Sequence, residues 1–182
     1  MKKKNRKITR FIATFVILVL VGGYILYFTD FISLGKDVSR PIEAANEESE
    51  VINELTNRLL RIDSQSDVQV GAILVNPIKD DENFYIFKVQ FNTHSVNLDQ
   101  YDFNDMAIFT TSVGIELKDE VIWEKIDGEG HHYLGNYKVP KVIEGRSTID
   151  KNTEFITLGI INLDGIERRE LKWEKDTMDF LQ

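Results

Sequence analysis

The chain of 182 residues holds only three histidines and no cysteine. His94 sits in Asn92-Thr93-His94-Ser95-Val96, and His131 and His132 close Gly128-Glu129-Gly130-His131-His132. Neutral imidazole is the commonest protein ligand for metals, and without thiolates a site of imidazole and carboxylate suits zinc or copper. Asp99, Asp102, Asp105 and Glu129 stand close by in sequence as oxygen donors. One geometric rule limits the set. Neighbouring residues in a strand face opposite ways, so His131 and His132 reach one ion only if the turn at Gly128–Gly130 continues through them. The bland alternative makes one of the pair a cap on the core and the other a surface residue, with His94 bonded to a loop.

Other chemistries have less support. Asp99, Asp102 and Asp105 at spacing three offer oxygen to calcium, but the run has neither the spacing nor the glycine of an EF-hand loop and reads as a solvated loop. No G-x-S-x-G occurs, and Ser95 beside His94 is not a hydrolase signature. There is no Gly-rich phosphate loop either. We therefore expect a non-enzymatic protein with no assured cofactor, zinc or copper being the candidates. Trp123 and Trp173 read as core anchors.

The two motifs together resemble a poorly characterised family of exported or membrane-anchored prokaryotic domains. The shared pattern is N-T-H-S-V-x-L-D, then Trp, then G-G-H-H-x-x-G. Asn92, Thr93, His94, Ser95, Val96, Leu98, Asp99, Trp123, Gly130, His131, His132 and Gly135 match it, and Glu129 replaces the first glycine of the last motif. The resemblance covers about 85–175. It implies that both histidine motifs belong to one site, and it brings no established activity.

The elements that would position this site follow a basic tail and an apolar run. Phe11 to Phe28 is eighteen residues without a charge. At about 1.5 Å rise it spans roughly 27 Å, enough for a transmembrane helix. Six basic residues precede it and the first acid is Asp30, which predicts a cytoplasmic N-terminus and the rest of the chain outside the cell membrane. A cleaved signal peptide is the rival, but the run is long and no small-residue cleavage site follows. From Asp30 onward 16 basic residues face 30 acidic ones, a net charge of −14. That sign argues against nucleic acid. Partners are instead the membrane through the anchor and an envelope protein or a second copy through residues 41–63.

Residues 1–10 are thus the tail, 11–28 the anchor, 29–64 a linker with an amphipathic helix at 41–63, and 65–182 the outer domain. Val51, Leu55, Leu59 and Ile62 form the helix stripe. Beyond it the period becomes two. Strands are expected at 68–75, 84–96, 107–111, 113–117, 121–123, 131–139, 155–163 and 166–173, with turns at Asp127–Gly130 and Asp164-Gly165. The stretch 97–105 is a loop, 144–153 a solvated loop, and the last nine residues a tail. Seven or eight short strands at such spacing make a mainly β fold, an immunoglobulin-like β-sandwich, with a partly open barrel as runner-up.

Overall fold

A computed structural model of the chain describes residues 53–178. The expected basic tail, the apolar run Phe11 to Phe28 and residues 41–52 of the expected helix lie outside them. Among the described residues no helix is long and apolar enough to cross a membrane.

Alternation of apolar and polar side chains builds the domain. β3 (Phe84–Thr93) buries Tyr85, Phe87, Val89, Phe91 and Thr93 and half-exposes the residues between them, as a strand with one dry face must. Around it lies the first antiparallel sheet, in the order β1 (Leu60–Asp63), β2 (Val68–Leu74), β3, β7 (His132–Pro140), β6 (Ile122–Glu129). The second sheet runs β11 (Ile166–Glu174), β10 (Phe155–Leu163), β4 (Ala107–Thr111), β5 (Glu116–Leu117). A small hairpin of β8 (Val142–Ile143) and β9 (Arg146–Ser147) stands apart. Phe87 of the first sheet meets Phe109 and Trp173 of the second at ring-centroid distances of 5.9 and 5.0 Å. The inner faces therefore share one aromatic core, in which each fully buried large side chain contributes on the order of 1.5–3 kcal/mol. In an immunoglobulin sandwich the second and third strands lie in opposite sheets. Here β2 and β3 are paired neighbours, so the immunoglobulin-like strand order is not met, although the protein is mainly β with two antiparallel sheets.

The expected helix 41–63 is corrected at its end. Residues 53–59 are helical (α1), and Leu60–Asp63 is a strand paired with β2 from Leu60↔Ile73 to Asp63↔Val70. The stripe ignored what the second sheet offers. Trp173 Nε1 donates to the Leu59 carbonyl at 2.6 Å, Arg61 Nε to the Lys172 carbonyl at 2.6 Å, and Arg169 Nη1 to Asp63 Oδ1 at 2.7 Å. These bonds pull the chain straight along β11. Ile62, the last member of the stripe, is 48% exposed.

Arg169 is fully buried on the inner face of β11 beside Leu171 and Trp173. Besides Asp63 it donates to the Val68 carbonyl at 2.8 Å, while its Nε has no partner. Burial pushes the Asp63 carboxyl upward, but the hydrogen bonds from Gln65 and the Arg169 guanidinium outweigh it and hold the group below the usual carboxylate range.

Other boundaries move for local reasons. β3 stops at Thr93, short of the expected Val96, because Thr93 Oγ1 accepts the N–H groups of Ser95 and Val96 and turns the chain. The expected strand 113–117 shrinks to β5, and the expected loop 144–153 contains β9. The tail begins with a short helix, α2 (Lys175–Met178). β4 and β10 keep the expected bounds, and Asp164-Gly165, both at positive φ, joins β10 to β11.

Candidate functional site

The site forms at the end of the first sheet where β3 leaves and β7 begins. The expected turn over Asp127–Gly130 is shifted. Asp127 to Glu129 belong to β6, past a register shift between Lys125 and Asp127, and the connection to β7 is Gly130-His131 alone. Gly130 has φ +60 at the first loop position, the requirement of a type II′ hairpin. Gly128, at φ +104, has no room for a side chain, since a Cβ there would collide with the His132 backbone. His131 is thus a turn residue and His132 the first of the strand, which removes the strict opposition of their faces.

This hairpin end is bonded to the segment after β3. Thr93 N–H donates to the His131 carbonyl at 3.0 Å and Leu98 N–H to the Gly130 carbonyl at 2.6 Å. Asp99 Oδ1 accepts the Tyr133 hydroxyl at 2.6 Å and the Gly130 N–H at 2.9 Å. Those two donors, the Tyr133 hydroxyl first, hold the Asp99 carboxyl below its ordinary range with help from the nearby Lys125 and His131 charges. The same bond raises the Tyr133 phenol. The His131 ring lies with Nδ1 at 2.8 Å from the Val96 carbonyl, and the His132 ring with Nδ1 at 3.0 Å from Asn92 Oδ1. The Val96 main-chain carbonyl can only accept, so the His131 ring carries its proton on Nδ1, and the His132 ring does the same with the Asn92 amide oxygen turned toward it. In neutral imidazole that leaves the Nε2 lone pairs free, on two exposed side chains.

The two histidine motifs therefore meet, and what joins them is largely main-chain bonding. His94 follows Thr93 in an exposed bend and makes no hydrogen bond among the described residues. Glu129 stands directly opposite His132 in the β6–β7 register. Asp102 caps Asn104 N–H at 3.0 Å, and Asp105 is exposed on the following turn. Among the described residues no group of three or more His, Cys, Asp or Glu is placed to hold a metal ion.

No protein-family model, no curated protein and no solved structure matches the chain. The site has to be read from its own geometry.

An aromatic stack lies under the hairpin. Phe103 sits 4.8 Å from Tyr133, 5.3 Å from Trp123 and 4.7 Å from Phe91, between ring centroids. Tyr137 donates its hydroxyl to the Phe103 carbonyl at 2.8 Å, and burial raises its phenol. Trp123 lies across Gly135, where a Cβ would collide with its ring and with the Glu124 carbonyl. Trp123 is half-buried and Trp173 fully buried. The Trp, Gly130 and Gly135 positions of the motif thus have packing and turn roles.

Two further loops join the same end. Ser95 Oγ donates to Asp67 Oδ2 at 3.1 Å, Asp67 N–H to Asp164 Oδ2 at 2.8 Å, and Asp164 N–H to the Tyr101 hydroxyl at 3.2 Å. Sequence reasoning missed Tyr133 and Asp67 as members of this site, and the contact of Asn92 with His132. Asn92 and His132 facing each other on paired strands would have been visible only with the register in hand.

Proposed function

We propose that the protein is a single-pass, membrane-anchored domain on the outer side of the cell membrane, acting as a non-catalytic binding module. Its site is the loop end that carries His94, His131 and His132. One observation carries the reading: His131 and His132 are each oriented by an Nδ1–H bond, at 2.8 and 3.0 Å, with the rings exposed. A pair of fixed, outward Nε2 acceptors is a recognition surface. Four chain segments bonded to one another behind it supply a rigid base, and binding residues concentrate on loops so held. The apolar run and its basic flank support the anchor and the cytoplasmic N-terminus.

The test compares the full chain in detergent with a His131→Gln, His132→Gln variant, each immobilised and exposed to envelope extract. A species retained by the first and lost by the second is expected, with Lys151→Gln, exposed on a loop away from the site, behaving as wild type. Equal retention by all three would refute a histidine-centred site. Protease added to intact cells should remove the domain; full protection would refute the outer location.

A second reading, zinc or copper binding through His94 with His131 or His132, is favoured by the same Nδ1–H bonds. Metal-ligating histidines characteristically donate their other N–H to an oxygen. Calorimetric titration with Zn²⁺ and Cu²⁺ checks it. Heat lost in the double variant and in His94→Ala is expected, and no heat from wild type would remove it.

A further inference from the structure

The opposite end of the first sheet has its own surface, about 30 Å from the histidines along the ten residues of β3. β6 is an outermost strand there, and six of its eight residues are exposed. Alternate residues turn their N–H and C=O groups away from β7, and such an edge is a template for another chain. The second half of β6 is guarded by the register shift after Lys125 and by the positive φ of Gly128, which bend it. The first half, Ile122 to Lys125, has no such guard.

A cavity of about 550 Å³ opens beside that unguarded half. Phe84, Ile122, Pro140 and Val142 give it apolar walls, with Ile122 and Val142 49% and 58% exposed. Glu82, Asp119 and Glu120 stand on its rim, all exposed. Lys141 also lines it, but its ammonium is held by Asp80 at 2.7 Å. The Lys125 ammonium lies over the Tyr133 ring at 4.4 Å, on the inner side of the sheet. The mouth is therefore apolar within and anionic around.

We propose that Ile122–Lys125 and this cavity receive an extended, cationic segment of another protein, added as a strand to β6 with one apolar side chain in the cavity. Main-chain bonding to an open edge plus a pocket for an alternate side chain is an established mode of peptide capture. Charge decides between occupants. A second copy would bring the same acids to the same edge, on a chain that carries a net −14 from Asp30 onward, whereas a cationic strand is attracted to it.

Fluorescence anisotropy of the full chain in detergent with a labelled Lys-Val-Lys-Val-Lys-Val peptide, and with its Glu-Val counterpart, tests this. Binding of the cationic peptide alone is expected, with amide-exchange protection appearing over residues 122–125. Asp119→Asn with Glu120→Gln should weaken it roughly three- to thirtyfold, the reach of two screened surface pairs. Ile122→Glu, at a half-exposed position, should abolish it, and His131→Gln should leave it unchanged. Failure of the cationic peptide to bind, equal binding of both peptides, or undiminished binding to Ile122→Glu would overturn the proposal. So would a concentration-dependent dimer lost in Ile122→Glu, which would assign the edge to a second copy.

Discussion

Removing Asp63 should destabilise the domain more than removing Arg169, its partner. Asp63→Ala leaves the guanidinium fully buried with only the Val68 carbonyl at 2.8 Å and the Leu163 carbonyl at 3.5 Å. The Asp63 side chain is 14% exposed, so some water reaches the pair. Stranding a buried charge costs about 3–5 kcal/mol, and that partial access places the expected loss at the lower end, about 3 kcal/mol. Arg169→Met instead keeps an apolar stem of similar length among Leu171 and Trp173. Asp63 then retains the two Gln65 donors, at 3.1 and 2.6 Å, and its access to water. The expected cost of that change is about 1–2 kcal/mol. In the double variant no ion is stranded, so the loss should be about that of Arg169→Met alone and well below the sum. Urea unfolding of the full chain in detergent, followed by the fluorescence of buried Trp173, reads all three. The pH dependence has a definite sign. The folded Asp63 carboxyl is depressed, so its contribution is fully present above the unfolded value of about 4 and fades as pH falls through the lower folded value. Asp63→Ala should flatten stability against pH below about 4. A larger loss from Arg169→Met than from Asp63→Ala, or strict additivity, would refute the reasoning.

Further outcomes follow from the site. Gly135→Ala forces a methyl into Trp123 and the Glu124 carbonyl and should cost about 1–3 kcal/mol by overpacking, seen as a lowered urea midpoint with unchanged slope. Asp99→Ala frees the Gly130 N–H and the Tyr133 hydroxyl, so amide exchange should quicken across residues 94–105 while β10 keeps its protection. Because the Asp99 carboxyl is depressed, acid should loosen the same segment of the wild-type protein only below about pH 4, where that carboxylate takes up its proton. His131→Phe keeps the ring shape and loses the bond to Val96; faster exchange confined to residues 93–98 is expected.

Where one physical signal dominated, the chain could be read directly. β3 alternates cleanly because one face meets the core and the other does not, and β10 is apolar because it lies between two strands of a packed sheet. Asp164-Gly165 supplied the two positive φ values its hairpin needs. β1 was hidden because Val51, Leu55, Leu59 and Ile62 satisfy a helical period, while the groups that straighten Leu60–Asp63 come from residues over a hundred positions later. The turn before His131 was misplaced because two glycines compete there, and only packing against the His132 backbone assigns Gly128 to the strand. At the site, the three histidines were legible as candidates from their scarcity in a chain without cysteine. The use of both Nδ1 atoms as anchors was not, since it depends on where the Val96 carbonyl and Asn92 amide point.

The inward row of β11 is Arg169, Leu171 and Trp173, and the outward row is Arg168, Glu170, Lys172 and Glu174. A slip of one residue against β10 would exchange the rows and press four charges into the interior in place of a tryptophan and a leucine. The outermost strand of the second sheet thus has a single seating. Misaligned intermediates should be too costly to accumulate during folding, so this edge strand reaches one alignment through its own sequence.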